Sequence, residues 1–440
     1  MIQRAFFTAL LLLLAHTSGA EAQDPALPLL TPSAQEVTLP EAGEGSAAGT
    51  LINAGNAKAY KALIVPELYP LVRANLIELD AVKGLRYRPS STALQASAQE
   101  AAISGNGEIA EPPIQLSPGM MFPSIDVADK NATWKVLWNL QSRLWSQQFI
   151  ENSFVLSWLQ GQKLTRQLGG RLTRVYPKAL SEGDKSIQLF REKIELIAPG
   201  AVKGFTWLSF RFFGPEEDML WLYSPVVERS RQLTGTNRSD AILKTSVAPD
   251  DFLAWSGKVE LVEPKQIRKI KGLVFFPSVE PVALKQGAGA CMEWAADNDP
   301  SRSAIWNYQS HKYSQAFGWV PTASVAVPRD LWRIEMISRD PYSAYGRQVL
   351  YIDAELFVPV YKFIYNRAGY LWKIVAAAYA QGVTSGGARQ IILPHYTIVD
   401  DLIAKSAYII ESSETKICSG YPSGVKISDF DPQKLAPPKP

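Results

Sequence analysis

The chain has 440 residues, 47% of them hydrophobic and 10% aromatic, and its 45 basic and 42 acidic side chains give a formal net charge of +3. Basic residues are spread thinly among acidic ones, which argues against nucleic acid, because a nucleic-acid protein needs a basic stripe or domain. Three histidines and two cysteines leave too few ligands to expect a zinc site, and no cofactor is expected.

Arg4 precedes an apolar run from Ala5 to Ala15. That run is too short to span a bilayer, which takes roughly 20 residues, and the small residues Ala20 and Ala22 place a cleavage site before Gln23. Residues 1–22 therefore read as a secretory signal peptide, and the mature chain is expected in the periplasm. No cysteine near the cut offers a site for acylation, so a soluble protein without its own anchor is expected.

Residues 23–55 form an irregular leader of Ala, Gly, Ser, Pro and Glu. Residues 56–150 are expected to hold N-terminal helices. Tyr60, Leu63, Ile64, Leu68, Leu71, Val72 and Leu76 fall at helical spacing, with Pro66 and Pro70 interrupting. An irregular wrapping segment occupies 84–130. Asn131-Ala132-Thr133 then caps a second helix, with Trp134, Leu137, Trp138, Leu144 and Trp145 on one side.

From 151 to 415 the period changes to two. Strands are expected at 187–197, 204–213, 219–223 and 226–233, followed by a short capped helix at Asp250-Asp251-Phe252. A hairpin is expected over 259–276, turning at Glu263-Pro264, and strands at 331–338, 347–353, 358–365 and 370–380. Residues 416–440 read as an extended tail. Consecutive strands with short turns imply one large antiparallel sheet with helices on one side, an α+β fold.

Motifs of chemistry are sparse. Gly105-Asn106-Gly107-Glu108-Ile109-Ala110 matches the dinucleotide fingerprint formally but follows no strand and runs into Pro112-Pro113. The carboxylate clusters at Glu216-Glu217-Asp218, Asp250-Asp251 and Asp400-Asp401 suit turns and caps better than paired acid–base work. His311 has no Asp or Glu within ten residues, and His395 follows Pro394 in what reads as a loop; neither reads as catalytic. No catalytic residue is expected. Cys291 and Cys418 could pair in an oxidising compartment, or remain two separate buried thiols.

Several strands set bulky apolar residues against charged ones. Trp332, Ile334 and Met336 oppose Arg333 and Glu335; Leu208, Phe210 and Phe212 oppose Ser209 and Arg211. Tyr361, Phe363 and Tyr365 oppose Lys362, Trp372 opposes Lys373, and Phe190 and Ile194 oppose Arg191, Lys193 and Glu195. These twelve apolar residues either pack an ordinary core or line an apolar ligand cavity.

Trp221-Leu222-Tyr223-Ser224-Pro225 followed by the basic run to Arg231, the Asp250-Asp251-Phe252 helix, and Tyr351-Ile352-Asp353 followed by Val358-Pro359-Val360-Tyr361 resemble the lipoprotein carriers LolA and LolB. A larger proteobacterial family of outer-membrane lipoprotein-sorting type resembles the chain from Asn56 to Tyr379. This resemblance implies an incomplete β-barrel, a large curved antiparallel sheet whose concave face is covered by helices over an acyl-chain cavity. It also implies lipid or acylated cargo, transient membrane contact and an exporter of the resistance-nodulation-division type as partner. The chain is about twice as long as the small carriers and lacks the acylated cysteine of LolB. The expected function is thus a non-enzymatic periplasmic carrier of a lipid, acyl chain or other apolar molecule between inner and outer membranes. The alternatives are an adaptor subunit of an export complex and, third, a hydrolase.

Overall fold

A computed structural model describes residues 39, 49–85, 102–105, 107–109, 120–144, 148–161, 163–176, 188–214, 216–233, 238–242, 244–296, 303–305, 321, 323–384 and 390–435. The expected signal peptide, most of the leader, much of the wrapping segment, Trp145, His311 and the last five residues lie outside them.

Strands dominate the fold. Short β1 (Thr50–Ile52) and β2 (Leu79–Ala81) flank helix α1 (Tyr69–Arg73), and α2 (Ala132–Leu144) leads into a meander. The meander comprises β3 (Phe149–Gln160), β4 (Lys163–Val175), β5 (Gln188–Ala198), β6 (Thr206–Phe212), β7 (Met219–Ser224) and β8 (Arg229–Leu233). After β9 (Val262–Phe276), β10 (Val282–Gln286) and β11 (Cys291–Ala295), a second meander begins. It comprises β12 (Val325–Ser338), β13 (Arg347–Asp353), β14 (Pro359–Tyr365), β15 (Leu371–Thr384), β16 (Gln390–Asp401) and β17 (Ser406–Cys418). Because β17 pairs with β3 and β9 with β12, the two meanders join in one antiparallel run, β9-β12-β13-β14-β15-β16-β17-β3-β4-β5-β6-β7-β8.

The sheet is barrel-like. Phe190 on β5 and Trp332 on β12 have seven strands between them in that run, yet both pack in the cluster formed around Trp134, Leu137 and Trp138 of α2. A flat sheet could not bring them to one 13-residue helix, so the sheet curls and α2 lies against its inner face. Trp255 and Val259, which precede β9, fill more of that face. The outer face is covered by the ends of the chain. Val65, Leu68 and Leu71 cluster with Tyr351, Tyr361 and Phe363, while Tyr421, Ile427, Phe430 and Leu435 cover Leu208, Phe210 and Phe212.

Four expectations change. The helical spacing of 57–79 produces only turns, a 3-10 helix at Lys61–Leu63 and the five-residue α1, with Pro70 in its first turn where a missing N–H costs nothing. The expected 259–276 hairpin is a 3-10 turn followed by one long strand. Pro264 is tolerated because β9 ends the run and a register shift falls opposite it. Helix cover of the inner face amounts, among the described residues, to α2 rather than a helical layer. The 416–440 segment is also no simple tail, since β17 runs to Cys418 and 3-10 turns follow at Ile427–Asp429 and Pro432–Lys434.

Candidate functional site

Register decides which of the twelve apolar residues share a face. Trp332, Ile334 and Met336 stand opposite Ile352, Leu350 and Gln348, and Leu350 in turn stands opposite Lys362. Tyr361 and Phe363, opposite Tyr351 and Val349, therefore point the other way. Phe190 joins the inner cluster, and Ile194 follows it at strand spacing. Leu208 and Phe210 stand opposite Lys193 and Arg191, on the outer face. Thus Phe190, Ile194, Trp332, Ile334 and Met336 lie inside, and Leu208, Phe210, Phe212, Tyr361 and Phe363 outside. Tyr365 and Trp372 are half-buried against the larger cluster, with the Trp372 indole donating to Asp401 Oδ2 at 3.2 Å. One continuous cavity lined by all twelve is not formed.

The interior is also more polar than the strand patterns suggest. Lys362 and Lys373, which the alternation places on a charged face, are fully buried. Asp251, in the 3-10 helix Pro249–Asp251, reaches them from the 238–261 segment, with Oδ1 2.9 Å from Lys362 Nζ and Oδ2 3.5 Å from Lys373 Nζ. Tyr345 donates its hydroxyl proton to Asp251 Oδ2 at 2.7 Å, and Lys362 donates to the carbonyl of Asp250 at 2.9 Å. Burial opposes charge on Asp251, but the two lysines outweigh it and hold the carboxyl below its usual range. Burial lowers Lys373, and burial with the Asp251 charge raises Tyr345 well above the ordinary phenol.

The neighbouring Asp250 continues this hub toward β6. Its Oδ1 meets Arg238 Nε at 2.7 Å, Arg238 Nη1 lies 3.2 Å from Asp218 Oδ2, and Arg211 Nε lies 2.6 Å from the same oxygen. Arg211 also donates to the carbonyls of Ser256 and Gly257. The two adjacent aspartates thereby tie β6 to β14 and β15 across the interior. Their expected capping role is present, since Ala248 N–H donates to Asp251 Oδ2, but it is the smaller part of what they do.

Space for a ligand opens at the end of the inner stripe. A cleft of about 790 Å³ is bounded by the 120–127 segment, β9, β12 and the turn between β13 and β14. Ile125 and the nearly buried Phe122, Trp332 and Phe357 border it with apolar atoms, and Lys269, Lys271 and Arg329 share its lining with Asp126, Asp330 and Glu355. Asn139 of α2 fixes the 120–127 wall in both directions, accepting from Phe122 N–H at 2.9 Å and donating to Phe122 O at 2.7 Å. Asp353 fixes the opposite wall, accepting the N–H groups of Glu355 and Leu356 and pairing with Arg329 Nε at 2.7 Å. Lys269 stands opposite Trp332 in the β9–β12 register, 5.5 Å above its ring, whereas Lys271 stands opposite Asp330. The buried Trp332 Nε1 has no hydrogen-bond partner.

Trp332 is the one cleft residue among the twelve. Phe122 and Phe357 were missed because they lie in irregular segments, where no periodicity marks a buried side chain. Lys269 was missed as well, because only the β9–β12 pairing, 63 residues apart in sequence, sets it against Trp332.

The remaining motifs have structural roles. Gly107, from the formal dinucleotide match, has φ of +83°, a Cβ there would lie 2.3 Å from the Trp134 indole, and its carbonyl accepts from Trp138 Nε1 at 2.8 Å. Asp401 accepts from the N–H groups of Ile403 and Ala404, closing a turn. His395 packs against Trp294 with Nδ1 buried and unpartnered, and burial pushes its pKa down to about 4. Cys291 and Cys418, directly opposite on β11 and β17, are bonded. Among the described residues no group of three or more His, Cys, Asp or Glu could hold a metal ion, and no helix is long and apolar enough to cross a membrane.

The architecture defines a class of curled, single-sheet, mostly antiparallel proteins with a helix against the inner face. The chain belongs to the family described as "Protein of unknown function (DUF1329)", whose model matches residues 51–436. Solved structures similar to it include a domain described as outer membrane lipoprotein-sorting from Vibrio parahaemolyticus, at 15% identity and TM-score 0.43, covering 66% of this chain and 92% of that one. A DUF1329 family protein from Desulfovibrio piger is similar at 14% identity and TM-score 0.42, with 66% and 92% covered. A LolA superfamily protein from Nitrosomonas europaea is similar at 12% identity and TM-score 0.35, with 65% and 90% covered. No curated protein matches the chain.

Proposed function

We propose that the protein is a non-enzymatic periplasmic carrier that holds a lipid or acyl chain in the cleft beside Trp332. The cleft itself carries this reading: about 790 Å³ of open space continues the inner apolar stripe between two walls fixed by buried hydrogen bonds. An apolar chain would lie against Phe122, Trp332 and Phe357, gaining about 25 cal/mol per Å² buried. Lys269, with no carboxylate opposite it, would stand beside an anionic headgroup. The short apolar run at residues 5–15 and the small residues before Gln23 support export.

Calorimetric titration with a long-chain fatty acid tests the site. Phe122→Ala with Trp332→Ala should weaken binding about tenfold or more. Unchanged binding by that folded variant would move the ligand elsewhere, and no binding by the parent protein would remove it. A second reading, an adaptor subunit with the same fold, is favoured by the side chains that fill the inner face beneath α2. Co-purification with membrane proteins, without any bound lipid, would select it.

A further inference from the structure

Neighbouring strands alternate in direction, so the β3–β4, β5–β6, β7–β8, β12–β13, β14–β15 and β16–β17 hairpins all turn at one end of the sheet. Among the described residues nine large apolar side chains are exposed, and six of them stand on or next to these turns: Ile197, Val226, Val227, Tyr342, Tyr370 and Ile403. Singly exposed apolar residues are ordinary, but concentration at one rim is not. Val226, Ile403 and Tyr342 are 75%, 63% and 76% exposed.

Local hydrogen bonds hold the turns that display them. Asp401 Oδ1 accepts from Ile403 N–H at 3.0 Å, Asp340 Oδ1 from Tyr342 N–H at 2.9 Å, and Asn366 Oδ1 from Tyr370 N–H at 3.0 Å. Arg367 Nε donates to Ser343 O at 3.0 Å and ties two of the tips together. The same turns expose Lys163, Lys203, Arg229, Arg367 and Lys405, and among their described residues Glu228 is the exposed acid.

We infer that this rim docks on an anionic bilayer, its apolar tips entering the headgroup layer and its cations facing lipid phosphates. Apolar tips interleaved with cations match a surface that is apolar beneath and negative above. The cleft lies toward the opposite end of β9, β12 and β13, so the docked protein presents it to the aqueous side. Docking does not require that the cleft hold a ligand.

Co-sedimentation of the purified full chain with phosphatidylcholine vesicles, with and without phosphatidylglycerol, tests the inference. Binding should require phosphatidylglycerol, weaken at high salt, and fall about tenfold or more when Val226→Asp, Val227→Asp and Ile403→Asp are combined. Met219→Asp, exposed at the other end, should bind like the parent, and a thermal melt checks that both variants fold. Failure of the parent to bind either vesicle, or undiminished binding by the folded triple variant, overturns the inference. Loss of self-association or of a protein cross-link in that variant, with no vesicle binding by the parent, assigns the rim to a protein instead and also overturns it.

Discussion

Asp251 faces two buried lysines with one carboxylate, so its removal leaves like charges together in a site closed to water. Asp251→Ala should cost about 3–5 kcal/mol, measured by urea unfolding, and adding Lys362→Met and Lys373→Met should recover most of it. No recovery would mean that the aspartate matters for the backbone of 248–251 rather than for the lysines. His395 works through pH. Its folded pKa, about 4, lies below the unfolded value, so the unfolded chain binds the extra proton as pH falls. Stability should drop between pH 6.5 and 4, by at most about 3 kcal/mol, and His395→Leu should flatten that part of the profile. The alternation of charged and apolar residues located these side chains on strands but misread their surroundings. It assumes one wet face, and a curled sheet covered on both sides has none at Lys362 and Lys373. Asp251 lies over a hundred residues away from them, a separation that no local pattern spans.

The inner wall depends on α2. Trp138 is buried, donates to Gly107 O at 2.8 Å and stacks on Phe213 with ring centroids 5.7 Å apart. Trp138→Ala should cost about 3–5 kcal/mol in a denaturant titration and loosen the Asn139 clamp on Phe122, weakening ligand binding with it. A loss of stability with unchanged binding would separate the helix from the cleft. Elements with strong periodicity and clean turns were legible, among them α2 and β13, which runs over the expected 347–353. Residues 57–79 were not, because the same spacing that suggests an amphipathic helix also fits turns pressed against the outer face, and Pro66 with Pro70 shortens any helix there. Pro264 misled in the opposite sense, since an edge strand with an irregular register accepts a proline that a central strand would refuse.

At the scale of the whole molecule the parts fall into an order along the strands. The hairpin rim stands at one end, the aspartate hub ties the curled sheet across its middle, and the cleft opens toward the other end. That order was hidden from the sequence because it depends on which strands close on one another, and β17 meeting β3 joins residues more than two hundred positions apart. The apolar stripe of β12 was legible, and it marks the cleft through Trp332 alone. Mass spectrometry of molecules extracted from the purified full-length protein tests the carrier reading most directly. A lipid or acyl species near one per chain, lost from the Phe122→Ala, Trp332→Ala variant, is the predicted result; folded parent protein that emerges from a lipid-containing extract with nothing apolar bound would contradict it.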